Sequence, residues 1–198
     1  MTMKKFFSLL AIMVSAALSL TSCDEDVAIS NTLSGDWKGN FGMYYDYYDR
    51  HGKYVETFDC YDSDIRFLPD YEYATHGIGY QVDYYDFGPY RRMYHTFDWD
   101  VRNENIYLHY HGESEYDTVI RDYRMNSRYF EGYFSNGSEK FKLVKISDFY
   151  WDSHWGDYGY DYYDDWYGFA PTRSGAVNDS IPADLEGGTI RLGNRFAK

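Results

Sequence analysis

Between residues 33 and 146 apolar and polar side chains alternate with a period of two. Successive side chains of a β-strand point to opposite faces, so this period marks strands with one buried face. Ile78, Tyr80, Val82 and Tyr84 alternate with Gly79, Gln81 and Asp83. Phe97, Trp99 and Val101 alternate with Asp98 and Asp100, and Ile106, Leu108 and Tyr110 with Tyr107, His109 and His111. A weaker set runs through Tyr116, Thr118 and Ile120. Turn-forming stretches lie between the runs: Asp49-Arg50-His51-Gly52, Leu68-Pro69-Asp70, His76-Gly77, Asn103-Glu104-Asn105 and Gly112. Asn136-Gly137, between apolar runs at 128–134 and 139–146, is the clearest hairpin signal, because both residues tolerate positive φ. Outside the first 22 residues no long stretch has the 3.6-residue period of a helix. The pattern predicts an all-β fold of eight to ten short strands in an antiparallel meander. Such a meander closes into a barrel or splits into a sandwich, since open edges invite aggregation.

The start of the chain follows another logic. Lys4 and Lys5 precede an apolar run over 6–20, broken only by Ser8, Ser15 and Ser19. A membrane span needs roughly 20 apolar residues, whereas a basic region followed by about 7–15 apolar residues is a secretory signal. The run ends in Leu20-Thr21-Ser22-Cys23, which resembles the lipobox of bacterial lipoproteins, where the cysteine is diacylated and becomes the first residue. The resemblance implies a signal peptide at 1–22, lipidation at Cys23 and a membrane partner reached through an N-terminal lipid anchor. Long acyl chains contribute about 0.8 kcal/mol per buried CH₂, enough for near-permanent attachment. Asp24-Glu25-Asp26 resembles the acidic signal that sends some Gram-negative lipoproteins to the outer face of the outer membrane. Read more plainly, these acids are solvated residues of a tether over 23–33.

Composition narrows the partners. Without residues 1–22 the chain keeps 17 basic against 32 acidic residues, a net charge of −15. Nucleic-acid binding rests on clustered Lys and Arg, and this balance argues against it. It also disfavours a second, electrostatic contact with anionic lipid, so a domain standing off the membrane on its tether is expected. Aromatic residues make up 22% of the chain, 25 of them Tyr. That share suits strands and binding faces and is unlike disordered segments. Once Cys23 is acylated, Cys60 has no partner for an intramolecular disulfide and is expected as a small buried side chain.

Leu33-Ser34-Gly35-Asp36-Trp37-Lys38-Gly39 resembles the Gly-x-Trp first strand of lipocalin-like barrels. Phe130-Glu131-Gly132-Tyr133-Phe134 and Phe141-Lys142-Leu143-Val144-Lys145, with the turn between them, resemble the final hairpin of small lipocalin-like bacterial lipoproteins. The resemblance implies a lipocalin-like β-barrel over 34–147, with a β-sandwich as the alternative. In that family the Trp plugs the closed end, and a late Arg often packs over it; the last strand here offers only Lys140, Lys142 or Lys145. It further implies a non-enzymatic binding protein for a small apolar or aromatic ligand, since a barrel of about eight strands can enclose one. Trp37, Tyr80, Phe97, Trp99 and Tyr110 are the inward-facing candidates, either lining a cavity or filling the barrel.

Residues 148–198 form a compositionally separate tail. The stretch 148–169 holds eleven aromatics and six Asp, without Lys or Arg. A second functional reading is therefore an interaction module whose aromatic-acidic tail contacts a glycan or a partner protein. Flat rings stack on sugar C–H faces while carboxylates accept hydroxyl protons; Tyr44, Tyr45, Tyr47, Tyr48, Trp151, Trp155 and Trp166 are candidates for such a platform. Thr189-Ile190-Arg191-Leu192 is the one place in the tail where a last strand is expected. His109, His111 and Glu113 share one face if 109–113 is extended, a spacing that suits zinc; if Leu108 and Tyr110 face the core, the same alternation turns both histidines to solvent. The Asp spacing of the tail does not match a calcium loop. No Gly-x-Ser-x-Gly, His-Glu-x-x-His or phosphate-binding Gly-rich motif occurs, and no cofactor is implied. Asp117-Thr118-Val119 and Asp179-Ser180-Ile181 resemble short O-glycosylation acceptors of some Gram-negative anaerobes.

Overall fold

The computed structural model describes residues 25–112, 117–135, 137, 139–148, 175–177 and 188–196, the middle segment 175–177 by its backbone alone. Residues 25–33 form a helix, α1. Twelve strands follow: β1 Gly35–Gly39, β2 Met43–Tyr48, β3 Tyr54–Asp59, β4 Asp62–Pro69, β5 His76–Tyr84, β6 Arg92–Arg102, β7 Asn105–Tyr110, β8 Thr118–Met125, β9 Tyr129–Phe134, β10 Lys140–Asp148, β11 Gly175–Val177 and β12 Thr189–Asn194.

Eight of these close into an antiparallel barrel in the order β6-β5-β4-β1-β10-β9-β8-β7, with β7 pairing back to β6. Outside β5, the alternation read from the sequence is the alternation of this wall. Its interior is packed with rings and branched chains, among them Trp37, Phe67, Phe97, Trp99, Phe130 and Phe141. The outer surface carries charge: Lys38 bridges Asp62 and Asp64 at 3.0 and 2.9 Å, Arg66 grips Asp36, and Lys140 meets Glu131 at 2.8 Å. An apolar inside and a charged outside is the reverse of a barrel that spans a membrane. Among the described residues no helix is long and apolar enough to cross one.

Both ends of the barrel are covered. At one end lies α1. Its first turn holds Glu25 and Asp26, where carboxylates complement the helix dipole. Its own Ser30 and Leu33 are buried, and the Ser30 hydroxyl donates to the carbonyl of Ala74 in the β4–β5 turn. Gly35, at φ 119°, lets the chain swing from helix into β1. Residues 25–33 are therefore a docked cap, not the free tether expected over 23–33. At the other end β2, β3 and β12 form a separate three-stranded sheet in the order β12-β2-β3. It buries Met43, Tyr45 and Tyr47 with Cys60, Tyr85 and Met93, and Ile190 and Leu192 pack against them. Thr189 to Leu192 is thus a strand, as its pattern suggested. It belongs to the folded body, so the domain does not end at 147 and the tail is not separable from it as a whole.

One phase assignment is reversed. In β5 the buried face that meets the barrel interior belongs to Gly77, Gly79, Gln81 and Asp83, while Tyr80 and Tyr84 lie half-buried on the outside. A Cβ at Gly79 would fall within the ring of Phe97. The neighbouring strand's large rings occupy the space that the side chains of β5 vacate, and the apolar residues of β5 face outward. There Val82 and Tyr94 form a small buried cluster of their own, with Tyr84 packed on it.

Candidate functional site at the covered mouth of the barrel

Trp37, Phe97, Trp99 and Tyr110 all point into the barrel, as anticipated, and Tyr80 does not. The four are core in the strict sense. Phe97 stacks within 5.5 Å of Phe67 and 5.2 Å of Tyr110, ring centre to ring centre, and Trp99 lies 6.0 Å from Phe67. Trp37 meets Phe130 edge-on at 5.7 Å, and Phe130, Phe134 and Phe141 continue the cluster. Trp37 donates its indole N–H to the Leu33 carbonyl at 2.6 Å and carries the Lys145 ammonium over its ring at 5.0 Å. The same ammonium donates to the Thr32 carbonyl at 2.8 Å and pairs with Asp148 at 2.7 Å. A late cation over the first-strand Trp is thus present as Lys145 rather than Arg.

Polar side chains gather where the interior meets the β2-β3-β12 cover. Asp83 is 0% exposed and His95 2%. Ser63 Oγ donates to Asp83 Oδ1 at 2.5 Å, Gln81 Nε2 donates to both carboxylate oxygens at 3.0 Å, and His95 Nε2 lies 3.2 Å from Oδ2. Tyr110 donates its hydroxyl to Gln81 Oε1 at 2.8 Å, tying the network to the ring-filled core below. A buried carboxylate is tolerable only when so surrounded. Cys60 Sγ stands 3.5 Å from Ser63 Oγ and 3.8 Å from Asp83 Oδ1. Burial, reinforced by the charge of Asp83, pushes its thiol well above the ordinary range. Tyr85, at the same junction, has its hydroxyl pushed up for the same two reasons.

The chemistry of this cluster is not acyl transfer. A nucleophilic serine needs an imidazole on its hydroxyl and a carboxylate behind the imidazole. Here the carboxylate sits in the middle, with serine on one oxygen and histidine on the other. A thiol held protonated by burial is equally unsuited to attack. The cluster fastens β4, β5, β6 and β7 together beneath the cover. Sequence reading missed it because Ser63, Gln81, Asp83 and His95 are ordinary strand polars until neighbouring strands turn them inward.

His109 and His111 lie on the outer wall. His109 Nδ1 is 3.2 Å from Asp117 Oδ2 and its Nε2 3.7 Å from Asp100 Oδ2, while His111 Nε2 is 3.0 Å from Asp98. Each ring is engaged by carboxylates of its own, and Glu113 lies outside the described residues. Among the described residues no group of three or more His, Cys, Asp or Glu is arranged to hold a metal ion. Of the sugar-platform candidates, Tyr45 and Tyr47 are buried in the cover, Tyr44 lies under the Arg195 guanidinium at 4.3 Å, and Tyr48 meets Tyr54. Trp151, Trp155, Trp166 and Asp179-Ser180-Ile181 lie outside the described residues, whereas Thr118 opens β8.

A cleft of about 800 Å³ opens at the α1 end, lined by Glu25, Ile29, Arg121, Arg124, Tyr123 and Tyr129 among others. Asp26 accepts hydrogen bonds there from the backbone N–H groups of Asn103 and Glu104, at 3.0 and 2.8 Å. These two residues, at φ 51° and 61°, make the tight β6–β7 turn.

These features define a closed, eight-stranded antiparallel barrel, consistent with a lipocalin-like barrel and compatible with a small-ligand binding protein. No family model matches the chain, and neither the curated proteins nor the solved structures searched contain a significant match.

Proposed function

We propose that this is a non-enzymatic lipoprotein of the outer membrane, anchored through Cys23 and facing the cell surface, whose barrel is a rigid body for recognition on its outside. The observation that carries this reading is the interior itself. Rings from nearly every wall strand fill it, and the two ends are covered by α1 and by the β2-β3-β12 sheet. A ligand of the expected apolar class would compete with the protein's own side chains for that space. Recognition of a glycan or partner protein then falls to exterior aromatics, with the segment 148–169 as the compositional candidate.

A second reading keeps a small apolar ligand inside, entering when the cover lifts. The cover's being a three-stranded sheet separate from that of the wall favours it. Titration with 1-anilinonaphthalene-8-sulfonate separates the two. The exterior reading expects no saturable quenching of Trp37 and Trp99 by the dye, together with retardation in gels containing neutral polysaccharide that weakens on Trp151→Ala, Trp155→Ala and Trp166→Ala. Stoichiometric dye binding that quenches the core tryptophans, with no polysaccharide retardation, reverses the choice. The anchor is tested by Cys23→Ser, which is expected to move the protein from the membrane fraction to the soluble one.

A further inference from the structure

The position of α1 says which end of the barrel meets the membrane. Glu25 lies at the rim of the α1-end cleft, and Asp26 is fixed to the β6–β7 turn. One residue, Asp24, separates Glu25 from Cys23. Two residues of chain reach at most about 7 Å. The headgroup layer is roughly 5–7 Å deep on each side of the hydrocarbon. A lipidated Cys23 therefore leaves no room for the domain to stand off.

What this end displays fits such a neighbour. Tyr71 and Tyr73, in the β4–β5 turn beside the buried Ser30, are exposed. Tyr73 is held at φ 66°, a left-handed conformation that is an outlier for a bulky residue. Tyr129 and Val144 are register partners on the outer wall, Ile146 follows two residues on, and all three are exposed. Exposed tyrosines are the aromatic type enriched at membrane interfaces. Charges of both signs stand among them: Arg121, Arg124 and Arg128 on one side, Glu25, Glu72, Glu104 and Asp122 on the other. A headgroup bearing both phosphate and ammonium complements the mixture, guanidinium to phosphate and carboxylate to ammonium.

We propose that the α1-capped end of the barrel is a membrane-facing surface that rests in the phosphate-bearing headgroup layer of the membrane its own anchor enters, with Tyr71, Tyr73, Tyr129 and Ile146 at the interface and Arg124 and Arg128 on phosphate. This rests on the anchor reading given above. It replaces the expectation of a domain held away by its overall negative charge, since the local surface is mixed and the reach is short.

The test uses the full lipidated protein in phosphatidylethanolamine–phosphatidylcholine vesicles. A fluorophore is placed on Ile146→Cys or, at the far end, on Tyr54→Cys; buried Cys60 stays unlabelled. At 146 the probe is expected to be shielded several-fold from aqueous iodide and quenched by headgroup-level nitroxide lipid, with the opposite behaviour at 54. Arg124→Glu with Arg128→Glu is expected to weaken the shielding measurably, the short tether keeping the end near the bilayer, while the protein still sediments with vesicles. Equal iodide access at 146 and 54, with the acyl mass present on Cys23, overturns the orientation and leaves the anchor standing. Absence of the acyl mass overturns the anchor reading, and the orientation with it. Shielding unchanged by the arginine reversals removes the assignment to phosphate.

Discussion

Lys145 does three jobs with one ammonium. It lies over the Trp37 ring, caps the end of α1 at the Thr32 carbonyl and pairs with Asp148, while its side chain is only 5% exposed. A desolvated cation over an indole contributes about 2 kcal/mol, and an orphaned buried carbonyl costs about 1–3. Lys145→Ala should therefore lower the unfolding free energy by about 2–4 kcal/mol in urea titration, and Lys145→Arg should recover most of it. A loss below about 0.5 kcal/mol would reduce the contact to a surface ion pair. At this scale the sequence was only half legible. That Trp37 is a core residue follows from its motif, and the resemblance implies a late cation over it. Which lysine it would be depended on the bulge between Asp36 and Trp37, which brings Lys145 opposite the ring. Tyr80 shows the converse. Its neighbours Ile78 and Val82 looked like the inner face, but the ring of Phe97 already fills the space above Gly79. Volume on an adjacent strand decided the phase, and no local pattern records that.

Among elements, β12 is the least obvious contributor. It pairs residue for residue with β2, Asn194 donates to the Phe41 carbonyl at 3.0 Å, and Arg195 reaches Asp59 at 2.6 Å. Phe196 packs on the barrel core itself. Removing residues 188–198 strips cover from Tyr45 and Tyr47. Each large apolar side chain returned to water costs about 1.5–3 kcal/mol, so a loss of about 5 kcal/mol is expected, a large share of the usual 5–15. The truncated protein should melt well below the parent and bind 1-anilinonaphthalene-8-sulfonate. A melting temperature within a few degrees of the parent would show the cover to be dispensable. The strand was readable as a strand. Its partner was not, because β2 and β12 lie at opposite ends of the sequence and only the fold brings them together. The helix α1 was missed altogether: nine residues carry too few turns for a 3.6 period to stand out, and Ile29 and Leu33 read as tether until the barrel end supplies a surface for them.

Among the described residues several phenols are buried. Burial pushes Tyr45 up to about 12 and drives Tyr84, Tyr85 and Tyr123 higher still, and the Cys60 thiol moves the same way. In the unfolded chain these groups ionise near their ordinary values, about 10 for Tyr and 8.5 for Cys. Above those values the unfolded state holds fewer protons than the folded one, so stability falls as pH rises. Below about pH 8 these groups contribute no pH dependence. Tyrosinate absorbance at 295 nm should thus rise in two phases: exposed phenols near pH 10, then buried ones together with the loss of β-sheet circular dichroism. A single phase near pH 10 with the fold intact would mean the rings are reachable by water. The same burial predicts that Cys60 ignores a thiol reagent at pH 8 until denaturant is added.

The closure of the ring has a consequence in time. The first wall strand, β1, finds its second neighbour only in β10, and the bond from Lys145 to Thr32 spans 113 residues. The bond from Asn194 to Phe41 spans 153. No portion of the chain that stops short of residue 148 can complete the wall, and none that stops short of 194 can complete the cover. A chain delivered from its N-terminus therefore remains an open sheet with two unsatisfied edges until residue 148 has been delivered. Contacts of such range form slowly, and open edges pair indiscriminately. The architecture that closes and packs the finished barrel also leaves the unfinished chain with edges to pair until its last strand arrives.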